Sequence, residues 1–159
     1  MGIEIEHKFL VVGEAWRADV THAYDIRQAY LAIGPPASVR IRVQSGVGYL
    51  NIKRSTLETA RAEFEYVIPA DEAEEMMASL RIGAIVAKTR YEVPWAGRTW
   101  EVDVFEGENK GLVIAEVELD APDQAFDTPP WTGADVSSDY RYFNSYLARQ
   151  PFATWPTEG

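Results

Sequence analysis

A two-residue alternation of apolar and charged positions runs through most of the chain. Over residues 2–10, Ile3, Ile5, His7 and Phe9 alternate with Glu4, Glu6 and Lys8. Successive side chains of a strand point to opposite faces, so the three ions share one face and the larger groups share the other. The pattern returns. In 39–44, Val39, Ile41 and Val43 oppose Arg40 and Arg42, and in 48–54, Leu50 and Ile52 oppose Tyr49, Asn51 and Lys53. In 61–68, Ala62, Phe64, Tyr66 and Ile68 oppose Glu63 and Glu65. Residues 84–93 set Ala87, Thr89, Tyr91 and Val93 against Lys88 and Arg90. Residues 99–105 set Trp100, Val102 and Val104 against Glu101, Asp103 and Phe105. In 112–119, Val113, Ala115, Val117 and Leu119 oppose Ile114, Glu116 and Glu118. Residues 25–33 read as a further strand, closed by Gly34-Pro35-Pro36, which cannot continue a ladder.

Two stretches follow a helical period instead. Asp71 with Glu74 three residues on resembles a capping box, Met76, Met77 and Leu80 supply an apolar stripe, Arg81 suits the last turn and Gly83 can close it. The methionine pair reads as core filler. From Pro122 the alternation lapses, and Pro129-Pro130 and Gly133 mark irregular structure. A final helix is predicted over 140–149, capped by Ser138 or Asp139 and stopped by Pro151. Residues 13–20 form a connection with Trp16 packed, and Phe152 and Trp155 are candidates to fold back from the tail.

Eight strand candidates with short turns suggest closure. An eight-stranded antiparallel barrel has an interior just wide enough for side chains or one small ligand, and closing it removes the exposed edges. The expected fold is therefore α+β and mainly β, a closed eight-stranded antiparallel barrel with helices packed outside. At 159 residues, 47% of them hydrophobic, one domain over 1–159 can bury a real core.

Charge and composition narrow the chemistry. The net charge of −10 speaks against a nucleic-acid binder with a broad basic surface, yet leaves room for a local basic pocket. No apolar run nears ~18 residues and no signal peptide is visible, which predicts neither a membrane partner nor export. Cysteine is absent, which excludes thiolate metal sites and fits a cytoplasmic location. His7 and His22 make no metal pair by spacing. For oligomeric state, a homodimer is only the base-rate expectation.

The charged faces then pose a problem of their own. On an open sheet they would meet bulk water, in ion pairs worth ~0–1 kcal/mol each. In a closed barrel they cannot sit in a dry interior, since one unpaired buried charge costs about 3–5 kcal/mol. Two carboxylates ~4 Å apart repel by about 4 kcal/mol at an effective dielectric of 20. Pairs of glutamates at Glu4/Glu6, Glu63/Glu65 and Glu116/Glu118 thus ask for hard divalent cations such as Mg²⁺ or Mn²⁺. Arg40, Arg42, Lys53, Lys88 and Arg90 ask for a compact polyanion, and phosphate suits both residue types.

Read together, these residues resemble a known family. Glu4-Ile5-Glu6-His7-Lys8 is similar to the N-terminal signature of the CYTH superfamily, the triphosphate tunnel metalloenzymes. The order continues with Arg40-x-Arg42, Lys53, Glu63-x-Glu65, Lys88-x-Arg90, Glu101-x-Asp103 and Glu116-x-Glu118. The resemblance runs from residue 2 to about 149 and matches the short bacterial members. It implies a tunnel in which a triphosphate is hydrolysed with a divalent metal. By the family pattern, Glu4, Glu6, Glu116 and Glu118 match the metal carboxylates, while Glu63 and Glu65 match acids that hold a second metal or orient the attacking water. Lys8, Arg40, Arg42, Lys53, Lys88 and Arg90 match substrate-binding bases. Lys88 is the leading catalytic candidate, and Tyr30 sits where the family often places a tyrosine near a catalytic lysine. Asp139, Arg141 and Asn144 resemble the family's Asp-x-Arg-Tyr-x-Asn run, with Arg141 and Asn144 read as structural and Asp139 as a cap or tunnel-mouth acid. Inorganic tripolyphosphate is the expected substrate, because no aromatic clamp for a base stands out. Thiamine triphosphatase, class IV adenylyl cyclase and a non-catalytic polyphosphate- or nucleotide-binding module are the alternatives.

Overall fold

The structure is a computed structural model that describes residues 2–56 and 58–156. The chain runs through β1 (Gly2–Val11), β2 (His22–Ala32), β3 (Ala37–Gln44), β4 (Val47–Arg54) and β5 (Ala60–Ile68). Helix α1 (Ala70–Ser79) is followed by β6 (Ile82–Trp95), β7 (Arg98–Phe105) and β8 (Val113–Glu118), then β9 (Thr132–Asp135) and helix α2 (Asn144–Arg149). Every predicted strand forms. Strand β9 falls where no alternation exists, because its pairing is set by its neighbour and not by its own pattern.

The strands are hydrogen-bonded in the order β5-β4-β3-β2-β6-β7-β8-β1, and a β5–β1 pairing closes the ring. All the pairs are antiparallel. Closure depends on β1, whose first half pairs with β5 (Ile5 opposite Ala60) and whose second half pairs with β8 (Glu6 opposite Glu118). Strand β9 takes up the length of β1 that β5 leaves open, with Phe9 opposite Asp135.

The apolar faces of the strands point outward and are covered in two places. Helix α1 lies over β2, β3 and β4, burying Ala73 and Met77 against Ala29 and Ile41. Gly48 permits this approach, since a Cβ there would stand 2.8 Å from the Ala73 methyl. On the other side Trp16 and Trp131 cover Phe9, Trp100, Val102 and Val117. Trp131 packs against Trp100 with ring centroids 5.9 Å apart. Among the described residues no helix is long and apolar enough to cross a membrane.

Several local expectations give way to tertiary contacts. Helix α1 begins after Pro69 with no side-chain cap, and Glu74 pairs with Arg27 on β2 instead of closing a capping box. Arg81 does serve the helix end, donating to the carbonyls of Met77 and Ala78. Gly83 lies within β6, at φ +73, where a Cβ would meet the Ala148 carbonyl at 2.3 Å. The predicted helix over 140–149 divides into a 3-10 turn, Tyr140–Tyr142, and α2, with Phe143 extended between them. Asp139 caps the turn by accepting from the Arg141 backbone N–H.

Helix α2 has a particular place. Its Leu147 and Ala148 are buried with Tyr30, Val86, Phe105 and Ile114. Those four share strand faces with Gln28, Lys88, Asp103 and Glu116, so α2 seals one end of the bore with apolar side chains. Phe152 and Trp155 pack against this seal, as the sequence predicts, and the residues beyond 156 lie outside the described ones.

Candidate active site

The bore holds a cavity of about 310 Å³. Every residue to which the sequence assigns a metal, phosphate or catalytic role lines it: Glu4, Glu6, Glu63, Glu65, Glu116 and Glu118, the six bases, and Tyr30. The reason is parity. Each strand contributes alternate residues to the interior, and the register of the ladders brings the charged rows level with one another.

Acids and bases are interleaved. Lys8 Nζ lies 2.7 Å from Glu116 and 3.2 Å from Glu6. Lys53 Nζ stands 3.0 Å from Glu4 and 3.5 Å from Glu63. Arg42 pairs with Glu65, and its guanidinium lies over the Tyr49 ring at 4.5 Å. Arg90 donates to Asp103 at 2.7 and 2.8 Å and reaches Glu101 at 3.2 Å and Glu116 at 3.4 Å. Lys88 Nζ lies 2.6 Å from Asp103. Asp103 is 0% exposed and does not line the cavity; it stands behind Lys88 and Arg90 and fixes both.

The electrostatics follow from this burial. Desolvation alone would raise the Asp103 carboxyl, but Arg90 and Lys88 hold it below the usual range. Glu116 is likewise held well below, with Lys8 and Arg90 overcoming burial. Elsewhere burial wins. It pushes Glu6 up to about 7, helped by repulsion from Glu116, and Glu101 to about 7 as well. Glu118 is raised by burial and by the charges of Glu4 and Glu6.

These raised carboxyls test whether a divalent cation fits. Glu4, Glu6, Glu116 and Glu118 are oxygen donors on one wall, and Glu6 and Glu118 are raised first by burial and then by repulsion from neighbouring carboxylates, the second of which a cation would relieve. Among the described residues no three of them converge as a ready chelating cluster. Lys8 and Lys53 lie among the carboxylates, so cation binding requires these lysines to change partners. The donor chemistry fits a hard cation; the preformed geometry does not.

Other residues reach the bore without having been singled out in the sequence. Arg61, Gln28, Asn51, Tyr24 and Ser38 line it, as does Phe143. Arg61 shares its face with Glu63 and Glu65, and counting two residues back from Glu63 finds it. Asn144 reaches in at the start of α2, its Oδ1 accepting from Lys88 Nζ at 3.4 Å. Asn144, named in the sequence within the Asp-x-Arg-Tyr-x-Asn run but read there as structural, thus also faces the bore. Asp139 and Arg141 stay outside, paired with each other at 2.6 Å. His7 packs near Phe126 with its ring 3.8 Å from Asp135.

Comparison with known proteins agrees with this geometry. The CYTH domain family matches residues 2–149. The chain belongs to the CYTH family. An inorganic triphosphatase from Acetivibrio thermocellus is 43% identical over 152 residues, covering 96% of this chain and 97% of that protein. One from Nitrosomonas europaea is 39% identical over 150 residues, covering 91% and 96%. A crystal structure of an inorganic triphosphatase superposes with a TM-score of 0.67 at 36% identity, covering 91% of this chain and 97% of that one. The CYTH match thus takes in the whole ring of strands and the α2 seal.

Proposed function

We propose that this CYTH chain hydrolyses inorganic tripolyphosphate to pyrophosphate and phosphate within the bore, dependent on Mg²⁺ or Mn²⁺. The observation that carries the reading is a cavity in the bore lined by both acids and bases, in a chain whose 43% and 39% identical relatives are inorganic triphosphatases. Glu4, Glu6, Glu116 and Glu118 would hold the cation. When bound, it lowers the charge on the phosphate oxygens and makes the phosphorus easier to attack.

The chain's own groups supply the rest. Lys8, placed between Glu6 and Glu116, turns to phosphate oxygens as those carboxylates are engaged. Arg40, Arg42, Lys53 and Arg90 bind the remaining oxygens, a task suited to forked and point-charge donors. Glu63 and Glu65 orient a water in line with a terminal phosphorus. Glu63 is a weak base: burial raises its carboxyl, but Glu4, Lys53 and Asn51 bring it below the usual range. Orientation is the larger need in phosphoryl transfer, where little covalent chemistry falls to the protein. The water oxygen forms the new P–O bond as the bond to the bridging oxygen breaks, the water's proton passes to an oxygen of the phosphoryl group being released, and pyrophosphate leaves. Lys88 donates to that leaving oxygen, positioned by Asp103 and Asn144. Tyr30, opposite Arg40 across the β2–β3 ladder, has a minor orienting role.

The test is to incubate the protein with tripolyphosphate, ATP and thiamine triphosphate in Mg²⁺ or Mn²⁺, with EDTA controls. Phosphate release should be fastest from tripolyphosphate and abolished by EDTA. Cyclic AMP as the main product from ATP, or tight binding of tripolyphosphate without turnover, would overturn the reading.

A further inference from the structure

The cations of the bore fall into two groups. Lys8, Arg42, Lys53, Lys88 and Arg90 each hold a carboxylate. Arg40 and Arg61 form no ion pair among the described residues, and the buried Nε of Arg40, like that of Arg42, has no hydrogen-bond partner. Arg61 is positioned by an aromatic ring instead, its guanidinium lying 4.5 Å over Phe143. Phe143 is the extended residue that interrupts the C-terminal helical pattern, and it too lines the cavity. A guanidinium seated on an aromatic face keeps its N–H groups free at the edge, ready for a planar or forked acceptor. Its rotamer is fixed before the anion arrives, which lowers the ordering cost of binding.

We propose that Arg61, which no motif assigns, is a phosphate-binding residue that grips a terminal phosphoryl group of tripolyphosphate, with Phe143 as its positioning residue. This rests on the tripolyphosphate reading above. A terminal phosphoryl group bears more charge than the middle one, and Arg61, which lies opposite Glu4 across the β1–β5 ladder without an ion pair to it among the described residues, has its guanidinium left to meet that charge. The break in the final helix thereby has a purpose. Extending Phe143 delivers its ring to Arg61, and the next residue, Asn144, reaches Lys88.

The experiment compares Arg61→Ala, Arg61→Lys and Phe143→Leu with the wild type for KM and kcat on tripolyphosphate, and for tripolyphosphate affinity by calorimetry in EDTA. Losing a hydrogen bond between charged groups predicts a rise in KM of about 10-fold or more for Arg61→Ala, with matching loss of affinity. kcat should fall by less than about threefold, since the residue holds a non-reacting group. Arg61→Lys should recover part of the affinity, and Phe143→Leu should raise KM by about threefold through lost stacking. A purely structural clasp would lower melting temperature and leave KM and affinity where they were; that result overturns the proposal. Should Arg61→Ala fail to fold, unchanged KM in both other variants overturns it equally. A wild type that neither binds nor hydrolyses tripolyphosphate removes the functional reading and this inference together. An active wild type with an unaltered Arg61→Ala removes only the inference.

Discussion

The charged belt of the bore and its apolar seal lie on the same faces of the same strands, one pleat apart. On β6 the step is from Lys88 to Val86, on β7 from Asp103 to Phe105, and on β8 from Glu116 to Ile114. The seal is core in the ordinary sense, with Leu147 of α2 fully buried in it. The belt is a core of ions. Their nearness explains the electrostatics of the site: Lys88 Nζ lies 5.3 Å from the Phe105 ring, and Asp103 has no access to water. An apolar layer beside a charged one strips water from the ions and strengthens every interaction among them.

If the seal makes the belt depend on pairing, removing a belt acid should have the largest effect. Asp103→Ala leaves Lys88 and Arg90 buried with too little countercharge, at a cost of about 3–5 kcal/mol in urea denaturation and with activity down by more than about 100-fold. A variant close to wild type in both would mean that the belt is wet and the contrast with the seal is false. Leu147→Ala attacks the other side, with an expected loss of about 2–5 kcal/mol from the cavity it creates. It should also move the Glu6 and Glu101 carboxyls back toward ordinary values, as seen by carboxyl NMR, if water enters through the opened end. Unmoved carboxyls would show that the seal does not govern their burial.

Lys88→Ala sharpens the comparison from within the belt. Turnover should fall about 100-fold, the scale of losing one preorganised donor, while the affinity for Mn²⁺ changes little. Near-normal turnover would remove Lys88 from the reaction.

The smallest effect is in the pH dependence of stability without a divalent cation. Glu6 and Glu101 titrate at about 7 in the folded chain against 4.5 ordinarily, so folding favours their protonated forms. That contribution is complete below about pH 4.5 and is lost as pH rises through 7. Asp103 and Glu116 are depressed, so theirs is present above the ordinary carboxyl range and lost as pH falls through their lowered values. The cation-free melting temperature should therefore be higher at pH 6 than at pH 8, and Mn²⁺ should close most of that gap at pH 8. A melting temperature that rises from pH 6 to pH 8 would contradict the burial of Glu6 and Glu101.

Most of the belt was legible because strand parity is a local rule. A charge at Glu4, Arg40 or Glu118 declares its face within a few residues, and eight short-turned strands point to closure, although the β2–β6 and β1–β5 pairings that close the ring are not between sequential strands. The seal was not legible. Phe105 and Ile114 alternate with the same regularity as Asp103 and Glu116, and nothing nearby says that one pair meets ions and the other a helix. Asn144 and Phe143 were read as helix because the pattern of 140–149 permits one; the contacts to Lys88 and Arg61 that break it come from distant strands.

Residue order alone determined the strands, their inward rows of ions and the kind of ligand those rows can accept, since all three follow from side-chain alternation and charge. Tertiary structure alone decided which ions are paired, which guanidinium groups are left for an anion, and which end of the bore is shut. Those outcomes depend on ladder register and on where the C-terminal segment docks, and both are set by contacts between residues far apart in the chain.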